Sequence, residues 1–290
     1  MSRDPIDLDR SAPPFDQFTR IQWLSTTRSG RASVDHVRHH LYAGRDKRSR
    51  ASVLIKVTAK PGVFYERNLA NEIASLTTIN RELPDTRYFP FLVEEGRLRD
   101  GRVYLVTSLF DEFPLATSIG TERMPSRMVG HLRTAMEVAA ALSELHRIGI
   151  VHVDLNPMNI LYRTERGAPV VRIVDFESSY DRSRHTAGTF YDPPTTPGYC
   201  APEISTQPPD ARSDLFSLGA VLYTMLASYQ WTWEGDVGAA IEGDGDLDAE
   251  LKDILRRAVD RDPAKRYPSV EPFRDALAGY LERIWPGRSW

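Results

Sequence analysis

The hydrophobic pattern of the chain changes character near residue 110, and this constrains its fold more than any other feature. Before that point the signals are short strands and a single helix. Apolar and polar residues alternate from Ile21 to about Leu41, as half-buried strands do. Ser52 to Thr58 (SVLIKVT) is dense in β-branched and aliphatic residues and reads as a central strand, ended by Pro61-Gly62. Phe64 to Leu83 has helical spacing, with Leu69, Ile73, Leu76 and Ile79 on one face. Strands are expected around Phe91 to Val93 and Val103 to Thr107, joined through Asp100-Gly101. After Phe110 helices dominate. One opens at Ser126 and lines Leu132, Ala135, Met136, Ala139, Leu142 and Leu145 on a face. Others are expected over Ser213–Ala227, Ala249–Val259 and Ser269–Ile284, with strand-like pieces at Asn159–Tyr162 and Val170–Val174. The expectation is an α+β chain: a loosely held tail (1–20), a β-rich part (21–110), a larger helical part (111–285) and a short end (286–290).

Bulk properties exclude several classes. The net charge of -3 gives no general attraction to nucleic acid or membrane. A single cysteine, Cys200, rules out a disulfide framework and needs no special role. Residues 1–20 hold acids and prolines without an apolar core, unlike a secretory signal, so the cytoplasm is the expected location. No apolar run reaches the roughly 20 residues of a membrane span, so no membrane insertion is expected. The basic run Arg45–Arg50 reads as a solvated turn, and His36, His39 and His40 as strand residues without a metal. Trp231 and Trp233 read as core residues. The acidic run Gly243–Glu250 reads as a loop with Asp246 or Asp248 capping the next helix, and it lacks calcium-loop spacing.

The chemistry concentrates in Ile150–Leu161 (IVHVDLNPMNIL). Asp154 and Asn159 share a polar loop between a helix and a strand, and Asp175 follows the next strand. Phosphoryl transfer from ATP uses these types: a carboxylate to orient the attacking hydroxyl, and a carboxylate with an amide oxygen to hold a divalent metal. Lys56, inside a strand of aliphatic residues, calls for an anionic partner. Glu66 and Glu72 are the candidates on the following helix, and Glu72, beside Ile73 on the apolar side, is the better one.

These residues lie in motifs that resemble the eukaryotic-type (Hanks-type) serine/threonine protein kinase family, from about Leu24 to Leu281. His152-Val153-Asp154 stands at the family's His-Arg-Asp position, and Asp175-Phe176 at the start of Asp-Phe-Gly. Thr196 to Glu203 (TPGYCAPE) resembles the end of the activation segment. Asp214 resembles the aspartate that braces the catalytic loop, and Arg266 the arginine paired with the Glu203 position. The resemblance implies a bilobal protein-kinase-like fold: an N-terminal antiparallel β-sheet lobe with one main helix, a larger helical C-terminal lobe, and an ATP cleft between them. It implies that Lys56, positioned by Glu72, binds ATP phosphates, that Asp154 orients the substrate hydroxyl, and that Asn159 and Asp175 hold Mg²⁺ (or Mn²⁺). Thr107 would back the adenine pocket, with Ser108 and Leu109 in the hinge and Gly30 in the phosphate loop. His152 supports the loop. Thr186, Thr189 and Thr196 fall in the activation segment. The implied partners are ATP and a protein substrate or regulatory protein, with no nucleic acid. Pro157 and Thr196 favour the serine/threonine type. A nucleotide-binding pseudokinase scaffold is the main alternative. A small-molecule kinase is a lesser one, because such relatives usually lack the Ala-Pro-Glu element.

Four departures stand out from that resemblance. Gly30 is the only glycine of the segment LSTTRSGRASV, which stands where the family has its phosphate loop. Glu177 replaces the glycine of Asp-Phe-Gly, either adding negative charge beside Asp175, which would strengthen metal binding or repel the phosphates, or pointing to solvent. Asn156 replaces a lysine, so positive charge toward the transferring phosphoryl group is lost and Asn156 serves as the catalytic-loop donor. Val153 replaces an arginine that receives a phosphorylated residue, and valine cannot pair with phosphate. Ser178, Ser179, Ser183, Thr186, Thr189 and Thr195 are candidate modification sites. Activity is expected to be independent of phosphorylation through that contact. Replacing Thr186 and Thr189 by alanine tests this, and complete loss of activity in a folded protein would refute it.

Overall fold

A computed structural model describes residues 8–28, 37–120, 127–185, 195–228 and 235–286. The chain divides into two compact units, Met1–Asp111 and Glu112–Trp290.

The first unit is an antiparallel five-stranded sheet with one helix. Its strands are β1 (Phe18–Arg28), β2 (Val37–Asp46), β3 (Ser52–Thr58), β4 (Leu92–Arg97) and β5 (Val103–Ser108), in the order β1-β2-β3-β5-β4. The β-branched run at 52–58 therefore becomes the middle strand. Alternate residues of β3 face opposite sides. Val53, Ile55 and Val57 face one core, and Lys56 and Thr58 are buried on the other. Helix α1 (Val63–Glu82) buries Leu69, Glu72, Ser75, Leu76 and Ile79. His39 and His40 pair with Thr58 and Val57 within the sheet and are buried there. The basic turn is built around Asp46, whose Oδ1 accepts from the amides of Arg48 and Ser49. Arg45 donates to the Arg50 carbonyl at 2.7 Å.

One expectation about this unit changes. The segment from Leu8, read as loosely held, is packed: Leu8, Phe15 and Phe18 are buried against β2, β3 and β5. Burial of such side chains contributes about 1.5–3 kcal/mol each. Three scattered apolar residues among prolines carry no periodic signal, which is why the pattern missed them.

The second unit is mostly helical. It contains α2 (Met128–Arg147), α3 (Ala211–Ala227), α4 (Val237–Gly243), α5 (Ala249–Ala258) and α6 (Val270–Ile284). Its short strands are β6 (Phe113–Pro114), β7 (Ile150–Val151), β8 (Ile160–Glu165), β9 (Ala168–Ile173) and β10 (Tyr180–Asp181). They form the sheet β6-β8-β9 and the pair β10-β7. α2 begins at Met128 rather than Ser126, which lies outside the described residues. Its buried face includes Val138 and Ala141, while Met136 is half-buried. α4 was not expected from the pattern. It is one of several helices capped by aspartate: Asp210 caps α3, Asp236 α4 and Asp248 α5, each accepting a backbone N–H. Trp231 and Trp233 lie outside the described residues. Among the described residues no helix is long and apolar enough to cross a membrane.

Candidate functional site

In the first unit, β3 and α1 bring Lys56 and Glu72 together. Lys56 Nζ donates to Glu72 Oε2 at 2.6 Å, with both side chains almost fully buried. Glu66, the other candidate, instead pairs with Arg97 through two bonds of 2.8 Å at the surface. Thr107 is buried near the end of β5, opposite Leu54 of β3. Ser108 closes β5: its Oγ accepts the Phe91 amide at 2.9 Å, and the Leu109 amide donates to the Ser52 carbonyl at 3.0 Å. Gly30 lies outside the described residues.

In the second unit the loop after β7 is held from beneath by one carboxylate. Asp214, in the first turn of α3 and fully buried, accepts the His152 amide on Oδ2 and the Val153 amide on Oδ1, each at 2.8 Å. His146, at the end of α2, contacts the same Oδ2 through Nε2 at 2.8 Å. This histidine was not singled out from sequence, because its partner lies 68 residues away and no local pattern links them. His152 is fully buried. Its Nε2 meets the Val174 carbonyl at 3.1 Å and its ring packs against Phe176 at 5.1 Å. Burial lowers its pKa and favours the neutral ring, against the pull of Asp214.

Asp214 holds Val153 in an uncommon conformation. Val153 has a φ of +73°, a region that a β-branched residue enters at a cost of about 1–2 kcal/mol. Its side chain is wholly buried with Val151 and Tyr180, and Ile204 packs on them. Val153, read as standing at the family's arginine position, is thus part of an apolar cluster.

Past this bend, Asp154 is the centre of a hydrogen-bonded group. Its Oδ1 accepts the Thr196 amide at 2.7 Å. Asn159 donates from Nδ2 to the Asp154 carbonyl at 2.9 Å. Asn156 donates from Nδ2 to the same carbonyl and to Thr196 Oγ1, both at 3.0 Å, and its Oδ1 accepts the Met158 amide at 2.9 Å. Asn156 therefore ties the loop to Thr196. Burial pushes the Asp154 carboxyl up to about 7 against the pull of the Thr196 hydrogen bonds, and the Asp175 carboxylate adds to the rise. The Val174 amide donates to the Asn159 carbonyl at 2.9 Å, anchoring the residue before Asp175. Asp175 itself has a φ of +68°.

The oxygens of Asn159 and Asp175 are hard donors suited to Mg²⁺. The Asn159 amide nitrogen is engaged with Asp154, which leaves its Oδ1 as the ligand atom. Two nearby carboxylates, Asp154 and Asp175, are also relieved by a cation. The donor set fits the metal.

Glu177 is buried at 5% exposure, so the solvent-pointing reading is corrected. Ser178 and Ser179 are buried too, and Ser179 Oγ donates to the Phe176 carbonyl at 2.7 Å. They are not accessible for modification in this conformation, whereas Ser183 is exposed. Thr186 and Thr189 lie outside the described residues.

Glu203 and Arg266 form a bidentate pair with both bonds at 2.8 Å, and Ser213 Oγ donates to Glu203 at 2.8 Å. Cys200 is half-buried, and burial pushes its thiol up to about 11, consistent with an inert residue.

Human calcium/calmodulin-dependent protein kinase type 1B is 34% identical over 167 residues, which are 53% of this chain and 46% of that protein. Serine/threonine-protein kinase Pkn1 of Myxococcus xanthus is 32% identical over 194 residues, 61% of this chain and 27% of that protein. The matches thus cover less than half the length of these relatives. The crystal structure of the Mycobacterium tuberculosis PknI kinase domain superposes with a TM-score of 0.59 at 19% identity, covering 90% of this chain and 96% of that one. It supports the bilobal fold, an N-terminal sheet lobe with one main helix and a mostly helical C-terminal lobe. The protein kinase domain profile matches residues 39–276, and the chain belongs to that family.

Proposed function

We propose that this chain is an ATP-dependent serine/threonine protein kinase that transfers the γ-phosphoryl group to a protein hydroxyl. The carrying observation is the loop held by Asp214, which presents Asp154 beside Asn156, Asn159 and Thr196. In this reading the Asp154 carboxylate orients the substrate hydroxyl and accepts its proton as the oxygen bonds phosphorus and the β–γ bridge breaks. Lys56, oriented by Glu72, holds the α- and β-phosphates. Asn159 and Asp175 would hold Mg²⁺, which would supply neutralisation of phosphate charge. Thr107, Ser108 and Leu109 face the adenine. The proposed acceptor is a protein partner, and the proposed location is the cytoplasm.

Transfer from radiolabelled ATP to a generic basic protein, with Mg²⁺ or Mn²⁺, tests the reading beside Asp154→Asn. Label that falls by about 10²–10⁴-fold in the variant supports it. Equal label in both proteins overturns it. The buried Glu177 favours a second reading, a nucleotide-binding scaffold. Nucleotide binding without any transfer selects that one.

Asn156 supplies hydrogen bonds without charge. Asn156→Lys is therefore expected to raise transfer roughly tenfold, since an ammonium adds electrostatic stabilisation of the transferring group. Steady-state rates at saturating ATP measure it. An unchanged or lower rate would show that losing the Asn156 bonds to Asp154, Thr196 and Met158 offsets the added charge.

A further inference from the structure

The family match begins at residue 39, yet the chain before it is built into the first unit. Leu8, Phe15 and Phe18 are 6%, 2% and 4% exposed, in one cluster with Val53, Ile55 and Val57 of β3. Phe15 also packs on Tyr104 of β5, with ring centroids 6.0 Å apart. Polar ties hold the segment at its end. The Lys47 amide donates to the Gln17 carbonyl at 3.0 Å, and the Lys47 ammonium donates to the Asp16 carbonyl. Gln17 Nε2 donates to Glu94 of β4, whose other oxygen accepts from Tyr104 at 2.9 Å.

The alternation of β3 gives this packing a consequence. Ile55 and Val57 face the N-terminal segment, and Lys56 between them faces Glu72 of α1. The strand carrying Lys56 is clamped from both sides, and a cavity on one face shifts the residues on the other. We propose that Leu8–Phe18 is a positioning strap: packed on the face of the sheet opposite α1, it holds the Lys56 ammonium against Glu72. The consequence for nucleotide binding rests on the reading of Lys56 as the phosphate-binding lysine.

The test reads Lys56 directly. The full chain is treated with an amine-reactive acylating ester, and labelling of each lysine is followed by mass spectrometry, with exposed Lys60 and Lys265 as internal references. Phe15→Ala is expected to raise the Lys56 labelling rate roughly tenfold through local opening of β3. Phe15→Leu, which refills most of the space and keeps the test open if the alanine variant does not fold, is expected to fall between it and wild type. Leu142→Ala, a core change in the second unit with comparable thermal destabilisation, is expected to leave the Lys56 rate unchanged. Affinity for a fluorescent ATP analogue with Mg²⁺ is measured on the same proteins. An unchanged Lys56 rate in both Phe15 variants overturns the proposal, as does an equal rise in Leu142→Ala. A rise confined to the Phe15 variants supports the strap. If affinity stays constant while labelling rises, the strap stands and the phosphate role of Lys56 fails.

Discussion

Replacing Asp214 by asparagine is expected to lower stability by about 2–4 kcal/mol and phosphate transfer on the order of a hundredfold. The two carboxylate oxygens have separate duties. Oδ1 accepts the Val153 amide, and Oδ2 accepts the His152 amide together with His146 Nε2. Asparagine keeps only one acceptor oxygen. In either orientation its NH₂ confronts a buried loop N–H, and an unsatisfied buried donor costs about 1–3 kcal/mol. The left-handed Val153 backbone loses its restraint at the same time. The loop then relaxes, and Asp154, one residue further, moves with it. Misplacement of a reacting group by about 1 Å is enough for a hundredfold loss. Urea unfolding gives the stability term, and transfer rates on protein that remains folded give the second. A variant with wild-type transfer would show that the loop holds its shape without Asp214.

What could be read from sequence follows the range of the interactions. β3 was legible because a strand buried on both faces needs an unbroken run of aliphatic and β-branched residues. The Lys56–Glu72 contact was legible because each is a charge set among apolar positions, sixteen residues apart on consecutive elements. α4 was missed because its burial rests on Val237 and Ile241 alone, and its start depends on an Asp236 cap that resembles any loop aspartate. The burial of Glu177, Ser178 and Ser179 was not legible either, since a polar sequence is buried only by what tertiary structure brings over it. The same holds for His146, whose role exists only once α3 delivers Asp214. Motifs therefore announced which residue types are present, whereas the atoms that restrain them came from distant elements.

Arg266→Met is expected to cost about 3–5 kcal/mol near neutral pH, with a deficit that shrinks in acid. Arg266 is buried. It makes two bonds to Glu203, donates to the Asp260 and Arg212 carbonyls at 2.7 and 2.8 Å, and lies 4.9 Å over the Phe216 ring. Methionine keeps much of the packing and removes the charge, so the cost falls mainly on Glu203. In the wild type, burial alone would raise the Glu203 pKa, but the Arg266 hydrogen bonds and charge outweigh it and hold the carboxyl below its usual range. A depressed carboxylate stabilises the fold above its unfolded pKa, and that contribution is lost as pH falls through the folded value. Without Arg266 the sign reverses. A buried carboxylate with Ser213 as its remaining side-chain donor among the described residues resists ionisation, so the variant is penalised above the unfolded pKa and spared below it. Urea unfolding of both proteins at about pH 7 and about pH 4 should therefore show a gap that narrows on acidification. Adding Glu203→Gln should recover part of the neutral-pH loss, because no buried charge is then stranded. A gap independent of pH would mean that the loss lies in the carbonyl bonds and the Phe216 contact rather than in the ion pair. Glu203 closes the segment that starts at Thr196, and Thr196 holds Asp154. For that reason the variant should also lose transfer in proportion to the neutral-pH instability, and regain it with the second substitution.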